Sequence, residues 1–413
     1  MPNLDDALVE RIVQNCFNLY KTLPKNGKPI EKEWTVLSCM IEYDRTKENI
    51  QVVSLGTGSK CIGATKMMPN GSLLNDSHAE VFARRGFLLY LYENILKTLE
   101  EKQSIFNYEN GQFKLKDNIE YIFYSSQLPC GDASIISQSG EEEHYGDVLK
   151  ISKRGADSDV CDAEVKKCKV EDYVNKTGAK CLPQCEQDLK EPGTIQLLFG
   201  QVRTKPGRGD RTLSVSCSDK IAKWIHLGVQ GSLLSMLCEP IYISHFIFGA
   251  GVPYSEESLQ RALLNRSDCL SIKLDVVPQF YQTKLVFSNI SSEVNTKPAP
   301  GSMIWIKSIF NNQSLEVAVQ GRKLGVTVKK ALSPGCSLCI SKYHLYKKFL
   351  HILNNNEDLK HTICGSEKIE SIPYNKMKKK SIKYFEKWLD VKDKFFKTWT
   401  VKPDMWDFCV NMN

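Results

Sequence analysis

At 413 residues, 42% of them hydrophobic, the chain can bury a sizeable core, and 55 basic against 48 acidic residues leave it a formal charge of +7. No stretch approaches the ~18 consecutive apolar residues of a membrane-spanning helix, and Met1 to Tyr20 carries acids where a secretory signal needs an apolar centre. A membrane protein and a secreted disulfide scaffold are therefore not expected; an intracellular protein, nuclear or cytoplasmic, is, with most of its 15 cysteines reduced and buried.

In chain order, Leu4 to Leu23 reads as an amphipathic helix stopped by Pro24 and Gly27. Trp34 to Ile41 and Ile50 to Leu55 read as strands joined by a polar hairpin, and Leu55-Gly56-Thr57-Gly58-Ser59-Lys60 is a glycine-bearing turn able to approach a ligand closely. Asn75, Asp76 and Ser77 are cap residues, which places His78 and Glu80 in the first turn of a helix reaching about Leu99. Tyr121 to Ser126 is strand-like, and Leu128-Pro129-Cys130-Gly131 follows it before a short helix. Gln138 to Pro192 (residues 138–192) is polar and reads as an insertion or long surface loop.

Beyond it, Ser216 or Ser218 opens a helix towards Gly228. Further strands are expected at Ile195 to Phe199, Ile241 to Phe248, Ser271 to Val276, Met303 to Ile309 and Leu315 to Val319, and helices at Glu256 to Leu264, Lys342 to Leu353 and Lys376 to Trp399. There is no internal repeat, and residues 1–413 read as one domain. From Lys330 to Asn413 there are 16 Lys against 9 Asp plus Glu, so the basic C-terminal helical part (residues 330–413) carries as much charge as the whole excess and points to a polyanion. On a helical wheel of its last helix, Tyr384, Trp388, Val391, Phe395 and Trp399 form one stripe, with Lys376, Lys380, Lys383, Lys387 and Lys394 about 90° away, bordering the buried seam.

The chemistry concentrates in three short motifs. His78-Ala79-Glu80, Pro129-Cys130-Gly131 and the lone Cys217 of Ser216-Cys217-Ser218-Asp219-Lys220 supply one imidazole and two thiols, each at or near the start of a helix, where the dipole favours a thiolate. One His and two Cys hold zinc on three sides and leave the fourth for water, and a Glu two residues from the His can move that water's protons. The usual zinc-deaminase pattern His-x-Glu…Pro-Cys-x-x-Cys lacks its second Cys, because Ala133 stands there, and Cys217 is the preferred third ligand. Cys336-Ser337-Leu338-Cys339 and the pair Cys181 and Cys185 have no partner pair at zinc-ribbon spacing and read as structural thiols.

Asn75-Asp76-Ser77-His78-Ala79-Glu80 with Arg84-Arg85, Pro129-Cys130-Gly131-Asp132, Gly209-Asp210-Arg211-Thr212, Ser216-Cys217-Ser218-Asp219-Lys220-Ile221-Ala222-Lys223-Trp224 and Gly231-Ser232 resemble the editase domain shared by adenosine deaminases acting on RNA and on tRNA, from about Trp34 to Lys402. Pro206-Gly207-Arg208-Gly209-Asp210-Arg211 and Thr177-Gly178-Ala179-Lys180-Cys181 look most like the tRNA branch, and the chain starts directly on the catalytic domain. The resemblance implies an α/β fold, a three-layer α/β/α cytidine-deaminase-like core with an added C-terminal helical part. It implies conversion of adenosine to inosine in tRNA, in that branch next to the anticodon of alanine tRNA, and no membrane or obligate protein partner is expected.

Carried over residue by residue, the resemblance implies zinc ligands at His78, Cys130 and Cys217, Glu80 as proton shuttle, and Thr57, Ser59 and Lys60 as substrate contacts, with Ser59 where the family often has Thr. It also implies a buried inositol hexakisphosphate held by Asn75, Arg84, Arg85, Lys220, Lys223, Ser232, Lys342, Tyr374, Lys378, Tyr384, Trp399, Lys402 and Asp407, with Lys180 linked through Asp76 to the zinc. The alternatives are editing of double-stranded or messenger RNA and a catalytically inactive RNA-binding scaffold, which the intact Glu80 argues against.

Overall fold

The computed structural model describes residues 3–137, 173–191, 194–207, 210–266, 272–308, 314–327, 329–330 and 333–410. Most of the polar segment and the Arg208-Gly209 pair lie outside the described residues.

The core is a mixed sheet whose strands run, among the described residues, in the order Gln279–Val286, Ile243–Ala250, Ile119–Ser125, Leu37–Asp44, Asn49–Thr57, Gly301–Ile306, Ser314–Val319 and Arg322–Lys323. The first three are mutually parallel and the rest pair antiparallel. Two-residue alternation divides the apolar side chains between two cores. Leu37, Cys39 and Ile41, with Ile122, Tyr124 and Ile247, pack under helix Asp6–Thr22. Met40, Tyr121, Phe123 and Phe246 face the opposite way, towards helices Ala79–Leu99 and Cys217–Leu227. Both faces of the sheet are thus covered, giving the expected α/β/α layering.

The C-terminal helices Lys342–Asn354, Glu357–Cys364, Tyr374–Lys379 and Ile382–Val391 enlarge the second core rather than forming one of their own: Tyr346, Phe349, Met377, Val391 and Phe395 share a cluster with Phe82 and Phe87. The expected single helix from Lys376 to Trp399 is broken. It stops at Lys379, restarts at Ile382, widens into a π-helical turn at Lys392–Phe396, and ends at Lys397 in the left-handed region (φ +60°). The wide turn directs Phe395 onto His226 and Phe396 onto Trp388 and Trp399.

Several local expectations shift. His78 closes a short strand, Asp76–His78, and occupies the N-cap position without a side-chain capping bond. Residues 272–276 are not a strand and Ser271 lies outside the described residues. The edge strand begins at Gln279, after Pro278, which has no N–H to offer a ladder. Only Thr194–Gln196 of the expected Ile195 to Phe199 strand is extended, and Ile309 lies outside the described residues. The described end of the polar segment is not simple loop, since Tyr173–Asn175 and Lys180–Cys181 pair as strands. The hairpin Phe106–Glu109/Gln112–Leu115 was readable from Asn110-Gly111, both at positive φ (51° and 79°) as a tight hairpin turn demands. Helix Glu357–Cys364 begins where the Asn356 side chain accepts the Leu359 N–H at 2.9 Å.

Phe123 tests the packing of the second core. It is fully buried, 5.6 Å from the Phe246 ring and 6.3 Å from Trp224. Phe123→Ala is expected to cost about 3–5 kcal/mol in urea unfolding; a loss below about 1 kcal/mol, the range of an exposed site, would mean that the sheet and helix Cys217–Leu227 are not packed as described.

Candidate metal and catalytic centre

Three backbone turns bring the candidate ligands together. His78 Nδ1 lies 3.9 Å from Cys130 Sγ and 3.7 Å from Cys217 Sγ, and the ligand atoms of all three lie within 4.8 Å of one another. Cys217 opens its helix at the dipole's positive end, Ser216 caps it by accepting the Asp219 N–H, and the Cys217 N–H points at Cys130 Sγ over 3.4 Å. Ser218 bonds the facing turn: its N–H reaches the Cys130 carbonyl at 3.0 Å and its hydroxyl accepts from the Ala133 N–H at 3.1 Å. Gly131 between them has φ +110°, and a Cβ there would overlap the Ser216 hydroxyl, so glycine is required.

Two sulfurs and one imidazole nitrogen at this separation are the donor set of a catalytic zinc with one open position. Glu80 is 3% exposed and its Oε2 has no hydrogen-bond partner, the residue standing in the first turn of the helix that His78 opens. Burial raises its pKa, with His78 and Lys205 opposing. A carboxyl so placed is suited to exchange protons rather than to remain a fixed anion.

Beneath the ligands sits Asp76. Its Oδ1 accepts the His78 N–H at 3.0 Å, and its Oδ2 meets the ammonium groups of Lys205, at 2.7 Å, and Lys220. Burial opposes ionisation of Asp76, but the two lysines outweigh it and hold the carboxyl far below the ordinary range. Lys205 is buried and also donates to Cys217 Sγ at 3.0 Å. Cys130 is held well below the usual thiol range, by hydrogen bonding from Cys217 first, with Lys205 and His78 also helping against burial.

This overturns one expectation. Lys180 is exposed, on a strand whose residue Lys180 faces Thr204, and the lysine that reaches Asp76 is Lys205, just beyond that partner strand. Lys205 lies two residues beyond the buried Gln201, Val202 and Arg203 and is itself buried, so its charge must be paired. Thr57 also departs from its expected role, being 1% exposed with its hydroxyl oxygen accepting the Met303 N–H. Ser59 and Lys60 stand directly across a strand pair from His78 and Ser77, and the buried Ser59 hydroxyl has no hydrogen-bond partner.

On the far side of Asp76 the structure gathers cations. Arg84, Arg85, Lys223, Lys342, Lys378 and Lys402 form, among the described residues, no ion pair with a carboxylate. Arg84 donates to the Val229 carbonyl and Arg85 to that of Ile340, but Arg85 Nη2 is buried without a partner. Burial, followed by mutual repulsion, holds Lys223 and Lys342 well below the ordinary lysine range and pushes Lys402 down to about 8 and Arg85 to about 10. Lys223 lies over Trp388 at 3.2 Å and faces Trp399 at 5.3 Å, while Tyr374 is 5.3 Å from Lys378. These side chains are half-buried, and six cations gathered without a carboxylate among the described residues are a donor set that fits a multiply charged anion.

Of the other expected members, Asp407 accepts the Asn375 N–H with its carboxylate, Tyr384 is half-buried near Arg84, and the main-chain carbonyls of Ser232 and Asn75 accept from Ser235 and Ile62. The lysine row of the helical wheel does not face the cluster: Lys376 and Lys380 pair with Glu367, Lys387 with Asp275 and Lys394 with Asp390. The broken helix turns them to surface acids.

Replacing the two lysines separates the two assignments. Lys205→Met leaves the buried Asp76 with one cation fewer and is expected to cost about 3–5 kcal/mol and to lower zinc content, whereas Lys180→Met changes neither; equal effects in thermal melts and metal analysis would overturn the placement.

Residues 54–403 match the adenosine-deaminase (editase) domain. The chain is 37% identical to tRNA-specific adenosine deaminase 1 of Drosophila melanogaster over 97% of its own length and 96% of that protein, and 32% identical to tRNA-specific adenosine deaminase 1 of Homo sapiens over 95% and 98%. Similarity to the double-stranded RNA-specific editase Adar of Drosophila melanogaster, at 32%, covers 68% of the chain and 38% of that protein. With its His/Cys/Cys cluster and buried glutamate in place, the chain belongs to the adenosine-deaminase (editase) domain family and is a deaminase.

Proposed function

We propose that the chain converts adenosine to inosine in tRNA, next to the anticodon of alanine tRNA, using zinc held by His78, Cys130 and Cys217 and inositol hexakisphosphate bound in the cation cluster. The observation that carries the reading is the buried Glu80 carboxyl, its Oε2 without a hydrogen-bond partner, beside three converging ligands, in a chain similar over nearly its whole length to a protein named for tRNA.

Zinc, when bound, supplies a water acidified to a pKa of about 7 as nucleophile for C6 of adenine. Glu80 would take one proton from that water and deliver it to N1 of the base, then take the second from the hydroxyl added at C6 and pass it to the departing amino group, so that adenosine and water become inosine and ammonia. Lys205 and His78 sit close enough to favour the ionised form of Glu80 in the proton-accepting step. Ser59, beside His78, presents its hydroxyl to the flipped nucleotide, and an unpaired anticodon-loop base is cheaper to flip than a duplex one.

Inositol hexakisphosphate matches the cluster because its phosphates would neutralise Lys223, Lys342, Lys378 and Lys402 and give Arg85 Nη2 an acceptor. Lys220 would then stand between that ligand and Asp76.

Glu80→Gln is expected to lower inosine formation at least about 100-fold with zinc content unchanged; undiminished activity would rule out the proton role. Inosine mapping on total tRNA and on a long RNA duplex is expected to find the product in tRNA, and product in the duplex alone would shift the substrate to double-stranded RNA. Mass spectrometry of denatured purified protein is expected to release inositol hexakisphosphate, and its absence from fully active protein would overturn that assignment.

A further inference from the structure

The segment Thr177-Gly178-Ala179-Lys180-Cys181 has no part in the chemistry above, yet it touches the metal-binding turn directly. Thr177 Oγ1 accepts the Gly131 N–H at 3.1 Å, and it also accepts the Ala179 N–H at 3.2 Å from within its own turn. The Cys130–Gly131 peptide is therefore clamped at both ends: its N–H by Thr177 and its C=O by the N–H and hydroxyl of Ser218, each at 3.0 Å. That peptide is the link leaving ligand Cys130. At φ +110° and ψ −143°, Gly131 has no side chain to steer it.

The clamp has a rigid foundation. Lys180 and Cys181 pair with Thr204 and Arg203, and the fully buried Arg203 donates from Nη1 to the Ala179 carbonyl at 3.2 Å and from Nη2 to that of Leu198 at 2.7 Å. The same guanidinium grips both oxygens of Asp188 at 2.7 Å. The Arg203 N–H and carbonyl bond to Asp219 and Ser216, on either side of Cys217, and the strand runs on into Lys205. Asn175 adds a further tie, donating to the Ser134 carbonyl at 2.9 Å. One continuous stretch thus spans from the Cys130 turn to the Cys217 helix start.

We propose that Thr177 is a positioning residue for zinc binding and catalysis: its hydroxyl oxygen presets the Cys130–Gly131 peptide, so that the Cys130 thiolate is held in ligating orientation before the metal arrives. Groups that orient ligands in this way are worth about 10- to 100-fold in metal affinity or activity. The inference rests on the zinc reading above but not on the substrate, since metal release needs no RNA.

The test uses full-length zinc-loaded protein, a chromogenic chelator to time zinc release, and steady-state kinetics. Thr177→Val, which keeps the shape and removes the acceptor, is expected to release zinc about 10-fold faster and to lower kcat about 10-fold with KM unchanged. Thr177→Ser, which keeps the oxygen and loses the methyl, is expected to restore both. Zinc release from Thr177→Val at the wild-type rate would overturn the proposal, as would a Thr177→Ser protein as impaired as Thr177→Val, because methyl packing would then be the cause. If Thr177→Val does not fold, Thr177→Ala against Thr177→Ser makes the same comparison with the same criterion. Wild-type protein purified without zinc would overturn the metal assignment and this inference together.

Discussion

Asp76 is the charge on which the rest depends. A carboxylate at this depth would be expelled or neutralised if alone, and it remains ionised because Lys205 and Lys220 approach the same oxygen. The fully buried Lys205 depends on it in turn. Lys205 also donates to Cys217 Sγ, where its charge works against the burial and the neighbouring Cys130 that hold that thiol well above its ordinary range, while Lys220 stands at the edge of the cation cluster. Through the His78 N–H the same carboxylate fixes the backbone that presents the imidazole. One side chain thus ties the backbone of His78 to the two lysines that lie between the candidate ligands and the cation cluster.

Much of this was legible before the coordinates. His78, Glu80, Cys130 and Cys217 announce themselves because their chemistry is rare in that combination, and the sheet strands follow from two-residue alternation, as in Leu37, Cys39 and Ile41 against Met40. What escaped depends on pairing between distant segments. Lys205 and Lys180 are both lysines beside buried residues, and only the register of Cys181 with Arg203 decides which one points inward. The break at Lys380 and Ser381 escaped for a similar reason: the helical period runs on through it, and the demand of Phe395 and Phe396 for core contacts overrides it.

The cation cluster and the apolar core are one construction. Trp388 and Trp399 pack on Phe396 while their faces meet Lys223, so the aromatic stripe both fills volume and softens a buried positive charge. Arg84 and Arg85 belong to the same helix as Glu80, and a shift of that helix to relieve crowded cations would move the proton carrier as well. An anion bound as proposed would in this sense be a condition on catalytic geometry at a distance from the reacting base.

The bond from Arg85 to the carbonyl of Ile340 closes a loop of 255 residues. During synthesis, at roughly 5–20 residues per second, that bond cannot form until roughly 10–50 s after Arg85 has been polymerised. The partner of Arg84, the Val229 carbonyl 145 residues on, is made first, and until Ile340 follows the helix bearing Glu80 carries an arginine whose partner does not yet exist. The order in which the ribosome delivers the chain therefore supplies the residues of the candidate centre, Asp76 to Cys217, well before the carbonyl that holds Arg85 on the same helix as Glu80.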